Sequence, residues 1–126
     1  MIDSWVPARW DITVPAVADF DDFITWLPDG VTPAILTGYH AKQEFRRRFD
    51  DVVPLLTITD YDYLSFGEDG GDDAGKIIYA VPAVKMSLRG DVRPVDVVTS
   101  LELTSPAGKV YRAFDGTWTV TPEATK

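Results

Sequence analysis

Apolar and polar positions alternate most regularly in the last third of the chain, residues 95–121. Val97, Thr99, Leu101 and Leu103 fall on one side and Val98, Ser100, Glu102 and Thr104 on the other, the two-residue period of a strand. Ser105-Pro106-Ala107-Gly108 then has type I turn chemistry: proline presets φ at the second position and glycine closes the turn. Beyond it Val110, Arg112 and Phe114 alternate with Tyr111 and Ala113, and past Asp115-Gly116 Trp118 and Val120 oppose Thr117, Thr119 and Thr121. β-branched and aromatic residues fill both arms, as a half-buried pleated surface requires. The pattern predicts a long β-hairpin with Leu101, Leu103, Phe114 and Trp118 in one core. Asp115-Gly116 suits either a second turn or a bulge inside one strand.

The rest of the chain reads as shorter strands between turns. Trp10, Ile12 and Val14 alternate, and residues 20–27 form a second run ended by Pro28-Asp29-Gly30. Residues 39–49 carry two periods: Ala41, Phe45 and Phe49 at helical spacing, and Tyr39, Ala41, Gln43, Phe45 and Arg47 at strand spacing. Thr37-Gly38 is a poor helix entry and no cap follows, so a strand is expected. Residues 54–59 and 63–66 predict a strand pair around Asp60-Tyr61-Asp62, residues 67–75 a long exposed acidic loop, and residues 76–81 a further strand. Pro82 opens about one helical turn. The expected fold is all-β: a single Ig-like β-sandwich of about eight short antiparallel strands with at most one short helix, over residues 10–126, preceded by an N-terminal arm, residues 1–9.

Composition narrows the function classes. At 126 residues, 45% hydrophobic and 12% aromatic, the chain is long and apolar enough for one globular domain. There is no cysteine, so disulfides, thiolate metal sites and cysteine nucleophiles are excluded. The formal net charge of −8 opposes attraction to nucleic acid or to anionic membrane, and neither is expected as a partner. No apolar run reaches the roughly 18 residues of a membrane span. The first residues lack a basic segment followed by an apolar one, so a protein made in the cytoplasm is expected.

Candidate chemistry is thin. His40 is the one histidine, and no nucleophile elbow accompanies it. Asp19, Asp21 and Asp22 cluster in sequence, but neighbours on a strand point to opposite faces and do not converge on an ion. The acids between Asp60 and Asp73 lack the EF-hand order, and the glycine-rich segment 67–75 contains no lysine to make a phosphate loop. The expectation is a non-enzyme with no catalytic residue, metal, cofactor or small-molecule substrate. Two stretches stand out as interface candidates. The arm holds Trp5, Val6 and Arg9, and a tryptophan on a terminus gains order by docking on a surface. Arg46, Arg47 and Arg48 form a basic run near a strand end, suited to an acidic neighbour.

Several segments resemble a family of small β-sandwich proteins encoded among the virion structural genes of tailed actinobacteriophages, the LtfC-like group. They are Thr37-Gly38-Tyr39 with Ala41, Pro54-Leu55-Leu56-Thr57-Ile58-Thr59, and a closing run in which Leu101-Glu102-Leu103-Thr104, Pro106, Gly108, Arg112, Gly116-Thr117, Val120, Pro122-Glu123, Thr125 and Lys126 match. The likeness spans roughly residues 10–126; it departs from the family in a longer acidic loop around residues 69–73 and in Trp118, where a smaller β-branched residue is usual. The resemblance implies a sandwich related to the N-terminal domains of phage baseplate proteins and a place in the virion, and it carries over no catalytic residue. The resulting expectation is a non-enzymatic structural protein, a multi-copy tail or baseplate component that contacts other virion proteins or copies of itself. A capsid decoration protein is one alternative. A carbohydrate- or receptor-binding module is another, resting on the rings of Trp5, Trp10, Tyr61 and Tyr63 beside carboxylates.

Overall fold

A computed structural model of the chain describes residues 8–15, 18–28, 31–86 and 95–121. In chain order the elements are β1 (Ala8–Arg9), β2 (Ile12–Pro15), β3 (Phe20–Thr25), β4 (His40–Arg46), β5 (Leu56–Thr59), β6 (Leu64–Phe66), β7 (Lys76–Val81), the short helix α1 (Ala83–Met86), β8 (Val95–Thr104) and β9 (Val110–Thr121). One sheet runs β1-β9-β8-β4-β5, with β2 also on β9; the second runs β3-β7-β6. Taken in sequence, this is the order of a variable-type immunoglobulin sandwich, B-E-D against G-F-C-C′. Pairing is antiparallel except at the N-terminus, where β1 and β2 run parallel to β9.

The expected hairpin forms the spine. β8 and β9 pair from Val95 opposite Val120 to Thr104 opposite Val110, and the turn between them places Gly108 at φ 89°, a conformation glycine adopts without strain. Leu101, Leu103, Phe114 and Trp118 are all buried in the core, as the alternation predicted. β9 is one continuous strand, so Gly116 is not a turn. Nor is it the bulge. Leu101 faces Phe114 while Glu102 faces Arg112, which leaves Ala113 as the extra residue. That extra residue reverses the side-chain parity: Val110 and Arg112 are exposed, but Phe114, Trp118 and Val120 point inward. Gly116 has a different cause. A Cβ there would sit 2.0 Å from the Trp10 carbonyl oxygen, so only glycine admits the N-terminal segment against β9.

Trp10 therefore starts no strand. It occupies the break between β1 and β2, its amide bonded to the Asp115 carbonyl at 3.0 Å, and its carbonyl accepts from the Trp118 indole at 3.1 Å. Its ring packs edge-on to Phe114, Trp118 and Tyr79 with centroids 5.1, 5.1 and 5.7 Å away. Aromatic side chains from both sheets thus form the centre, where T-shaped pairs add to simple area burial.

One buried polar bridge spans the two sheets. Gln43 on β4 and Thr99 on β8 are the buried polar residues among the described residues, and Tyr79 on β7 faces them from the other sheet. The Gln43 amide donates to the Thr99 hydroxyl at 2.9 Å, Thr99 donates to the Glu44 carbonyl at 2.8 Å, and Tyr79 donates to the Gln43 side-chain carbonyl. With no cysteine in the chain, no B–F disulfide joins the sheets, and this chain of bonds ties them at mid-core.

One expectation needs correction. Residues 54–59 and 63–66 do not pair as neighbours: β5 joins β4 and β6 joins β7, in different sheets, with a single Thr59–Tyr63 bridge where the chain crosses over. Tyr63 takes φ 75° at that crossing, a strained value for a tyrosine. The loop 67–75 is exposed at residues 68–73, as expected, and it is also internally bonded. The Gly67 amide bonds to Lys76, Ala74 to Gly71 and Lys76 to Asp73, and a Cβ on Gly67 would lie 2.0 Å from the Asp73 carbonyl.

Candidate functional site

The strand registers sort the connections to two ends. At one end Thr25 pairs with Lys76 and His40 with Thr104, so residues 26–39, 67–75 and 105–109 gather there. At the other Phe20 pairs with Val81, Arg46 with Val98 and Phe45 with Leu56, so residues 47–55 and α1 gather there. The seven-residue β4 separates the two ends by roughly 20 Å at the rise of a strand.

The end holding residues 47–55 carries Arg47 and Arg48, the acids Asp50 and Asp51 that offset them in number, and an apolar tip. β4 stops at Arg46, which is half-buried and spent on the loop itself: its Nη1 donates to Glu44 at 2.7 Å and its Nε to the Asp51 carbonyl at 2.9 Å. The Asp51 carboxylate in turn accepts from the Arg48 amide at 3.2 Å. These bonds turn the chain so that the Arg47 and Arg48 guanidiniums stand in solvent, without a hydrogen bond or ion pair among the described residues. Beside them three apolar side chains are exposed: Phe49 at 67%, Val52 at 89% and Val53 at 76%. The basic run was legible in the sequence. The apolar tip was not, because Phe49 continued the period of β4 and looked like part of it. The signal available was Asp50-Asp51, a turn pair placed between Phe49 and two valines.

The opposite end is acidic. Asp69 is fixed by the Leu36 amide at 2.9 Å and by the Thr37 hydroxyl, and these bonds hold its carboxyl below the usual aspartate range against a smaller burial effect. Asp73 pairs with Lys76 at 2.8 Å. Glu68 and Asp72 remain exposed with no bonded partner among the described residues. Between this loop and residues 32–35 runs an open groove of about 510 Å³, lined by Thr32, Pro33, Ala34, Ile35 and Ala74 along with Asp69, Gly70 and Gly71. Ile35 is 72% exposed at its edge.

The other candidate residues are scattered. Arg9 lies on β1 at the far edge of the larger sheet, with β9 and β8 between it and β4, and its guanidinium is engaged with Asp11 at 3.0 Å and Thr117 at 3.2 Å. Trp5 and Val6 lie outside the described residues. The arm and the arginine run therefore do not form one surface in the parts described. His40 is exposed; its Nδ1 meets Asp60 at 2.9 Å and its ring stacks on Tyr61 at 5.6 Å. Burial raises the Asp60 carboxyl, but bonds from His40 and from the Ala41 and Asp60 amides outweigh it, and the net effect is a lowered pKa. Of the rings considered for sugar stacking, Trp10 and Tyr63 are half-buried against the core and Trp5 lies outside the described residues, which leaves Tyr61, 80% exposed, without a described companion on its face. Among the described residues no group of three or more histidine, aspartate or glutamate side chains is arranged to hold a metal ion.

No family model matches the chain, and no curated protein does. Among solved structures it is similar to murine CRIg, at 12% identity over 90% of this chain and 92% of that one, with a TM-score of 0.37. It is also similar to extracellular domains 3–5 of Drosophila OTK, at 14% identity over 92% of this chain, with a TM-score of 0.29; it spans about a third of that protein, 33%. Neither likeness carries an argument about activity or partner.

Proposed function

We propose that this chain is a non-enzymatic structural protein that acts through contacts with other proteins, and that it serves as a multi-copy component of a tailed-phage virion, at the tail or baseplate. The observation that supports a contact role is the loop 47–53, where Arg47 and Arg48, unpaired among the described residues, share a braced turn with Phe49, Val52 and Val53 in solvent. Exposed apolar groups flanked by charge have the composition of an interface centre with a polar rim. The place in a virion rests on the sequence resemblance of residues 37–41, 54–59 and 101–126. On this reading the partners are other virion proteins or copies of the same chain, assembled after synthesis in the host bacterial cytoplasm, and residues 1–9 add a second contact through Trp5 and Val6.

Proteomics of purified phage particles, separated into capsid and tail fractions, tests the reading. Several copies per particle in the tail or baseplate fraction are expected. Recovery only with capsids would make it a decoration protein instead, and absence from purified particles would overturn the virion role. Deleting residues 1–7, which precede β1, should leave a folded domain with nearly unchanged Tm but reduce its incorporation.

A further inference from the structure

The two ends of the sandwich differ in what they expose: an apolar tip beside two arginines, with Asp50 also in solvent, at one, and an apolar groove beside acids at the other. At one end an apolar tip, Phe49, Val52 and Val53, projects beside the unpaired Arg47 and Arg48. At the other a mainly apolar groove lies between Ile35 and the 67–75 loop; Glu68 and Asp72, exposed and unpaired among the described residues, sit on that loop outside the groove lining. Gly70 and Gly71 contribute only backbone to its lining, and a Cβ at either would meet nothing within 4 Å. One copy cannot satisfy itself, because β4 holds tip and groove about 20 Å apart.

We propose that the 47–53 tip of one copy docks into the 32–35/67–75 groove of a second copy, so that the chains associate head to tail. The tip supplies apolar area, while Arg47 and Arg48 meet Glu68 and Asp72. The contact is heterologous, so each added copy presents a fresh tip and a fresh groove, and the products are rings or open stacks instead of a closed two-fold dimer. A net charge of −8 resists random association, and local pairing of opposite charges sets the one orientation that escapes it. The bracing of the tip by Arg46 and of the groove by Asp69 means that little order is lost on docking.

The inference rests on the reading of this chain as an assembly protein and names its neighbour. Sedimentation velocity on the whole chain, from micromolar to millimolar concentration, measures it directly. The expected result is an average mass that rises with concentration and falls as salt is added. Arg47→Glu with Arg48→Glu, and separately Glu68→Lys with Asp72→Lys, should each weaken association by at least about tenfold. All four positions are exposed, so circular dichroism and Tm should not move. Mixing the two double variants in equal amounts should restore association, since each variant's altered surface then faces its complement. A chain that stays monomeric at millimolar concentration in low salt overturns the proposal. So does association indifferent to both charge reversals, or a mixture that fails to recover. A chain found in virions yet monomeric in solution would sink this inference and leave the virion role standing.

Discussion

The Tyr79 hydroxyl donates to the Gln43 side-chain carbonyl across the interior, joining the smaller sheet to the larger through two fully buried residues. Burial, with the neighbouring Asp22 carboxylate adding to it, pushes the Tyr79 phenol well above its ordinary pKa, so it remains a neutral donor. Tyr79→Phe deletes the donor and strands the Gln43 carbonyl, and should cost about 1–3 kcal/mol in urea unfolding. Adding Gln43→Leu should cost less than the sum of the two single changes, because the stranded group is then gone. Simple additivity in that cycle would show the two residues to be uncoupled.

Leu101 is completely buried, facing Phe114 across the bulge. Leu101→Ala should lower stability by about 2–5 kcal/mol through lost burial and a residual cavity. Chemical denaturation with an unchanged midpoint would remove Leu101 from the core.

Gly116 lies against the Trp10 carbonyl, which an added Cβ would meet at 2.0 Å. Gly116→Ala should push the Trp10 carbonyl away, break its bond to the Trp118 indole, and cost at least about 1–3 kcal/mol. Tryptophan fluorescence should shift to the red as Trp10 gains water. A crystal structure of the variant with Trp10 still seated against Trp118 would contradict this account.

Asp11, Asp60 and Asp69 have lowered pKa values in the folded chain: Asp11 through the Thr117 amide and Arg9, Asp69 through Thr37 and Leu36, and Asp60 through His40 and Ala41 overcoming its burial. For each, the unfolded state binds the proton more readily, so stability is complete above the ordinary value of 3.8 and is lost as pH falls through the lower folded values. Thermal melts at falling pH should therefore show Tm dropping mainly below about pH 4. Asp60→Asn should flatten part of that drop, and an unchanged acid limb would mean that Asp60 is not among its causes.

Much of the fold was legible because it is local. The two-residue period of β8 and β9, the Ser105-Pro106-Ala107-Gly108 turn and the resolution of residues 40–46 as a strand follow from side-chain alternation and from the dihedral preferences of proline and glycine. Arg47 and Arg48 were likewise visible as a basic run at a strand end. What the sequence could not decide is which strands become neighbours. Local pattern says where a strand lies but not which edge it pairs with, so β5 and β6 looked like a hairpin although the chain crosses between sheets at residues 60–63. Trp10 and Gly116 are 106 residues apart, and only their contact explains why that glycine is required and why the tryptophan leaves the strand pattern. The two ends belong to the same class. Residues 47–53 and 67–75 are separate loops in sequence, and the register of the sheets alone sets them at opposite poles, where neither can be satisfied within one chain.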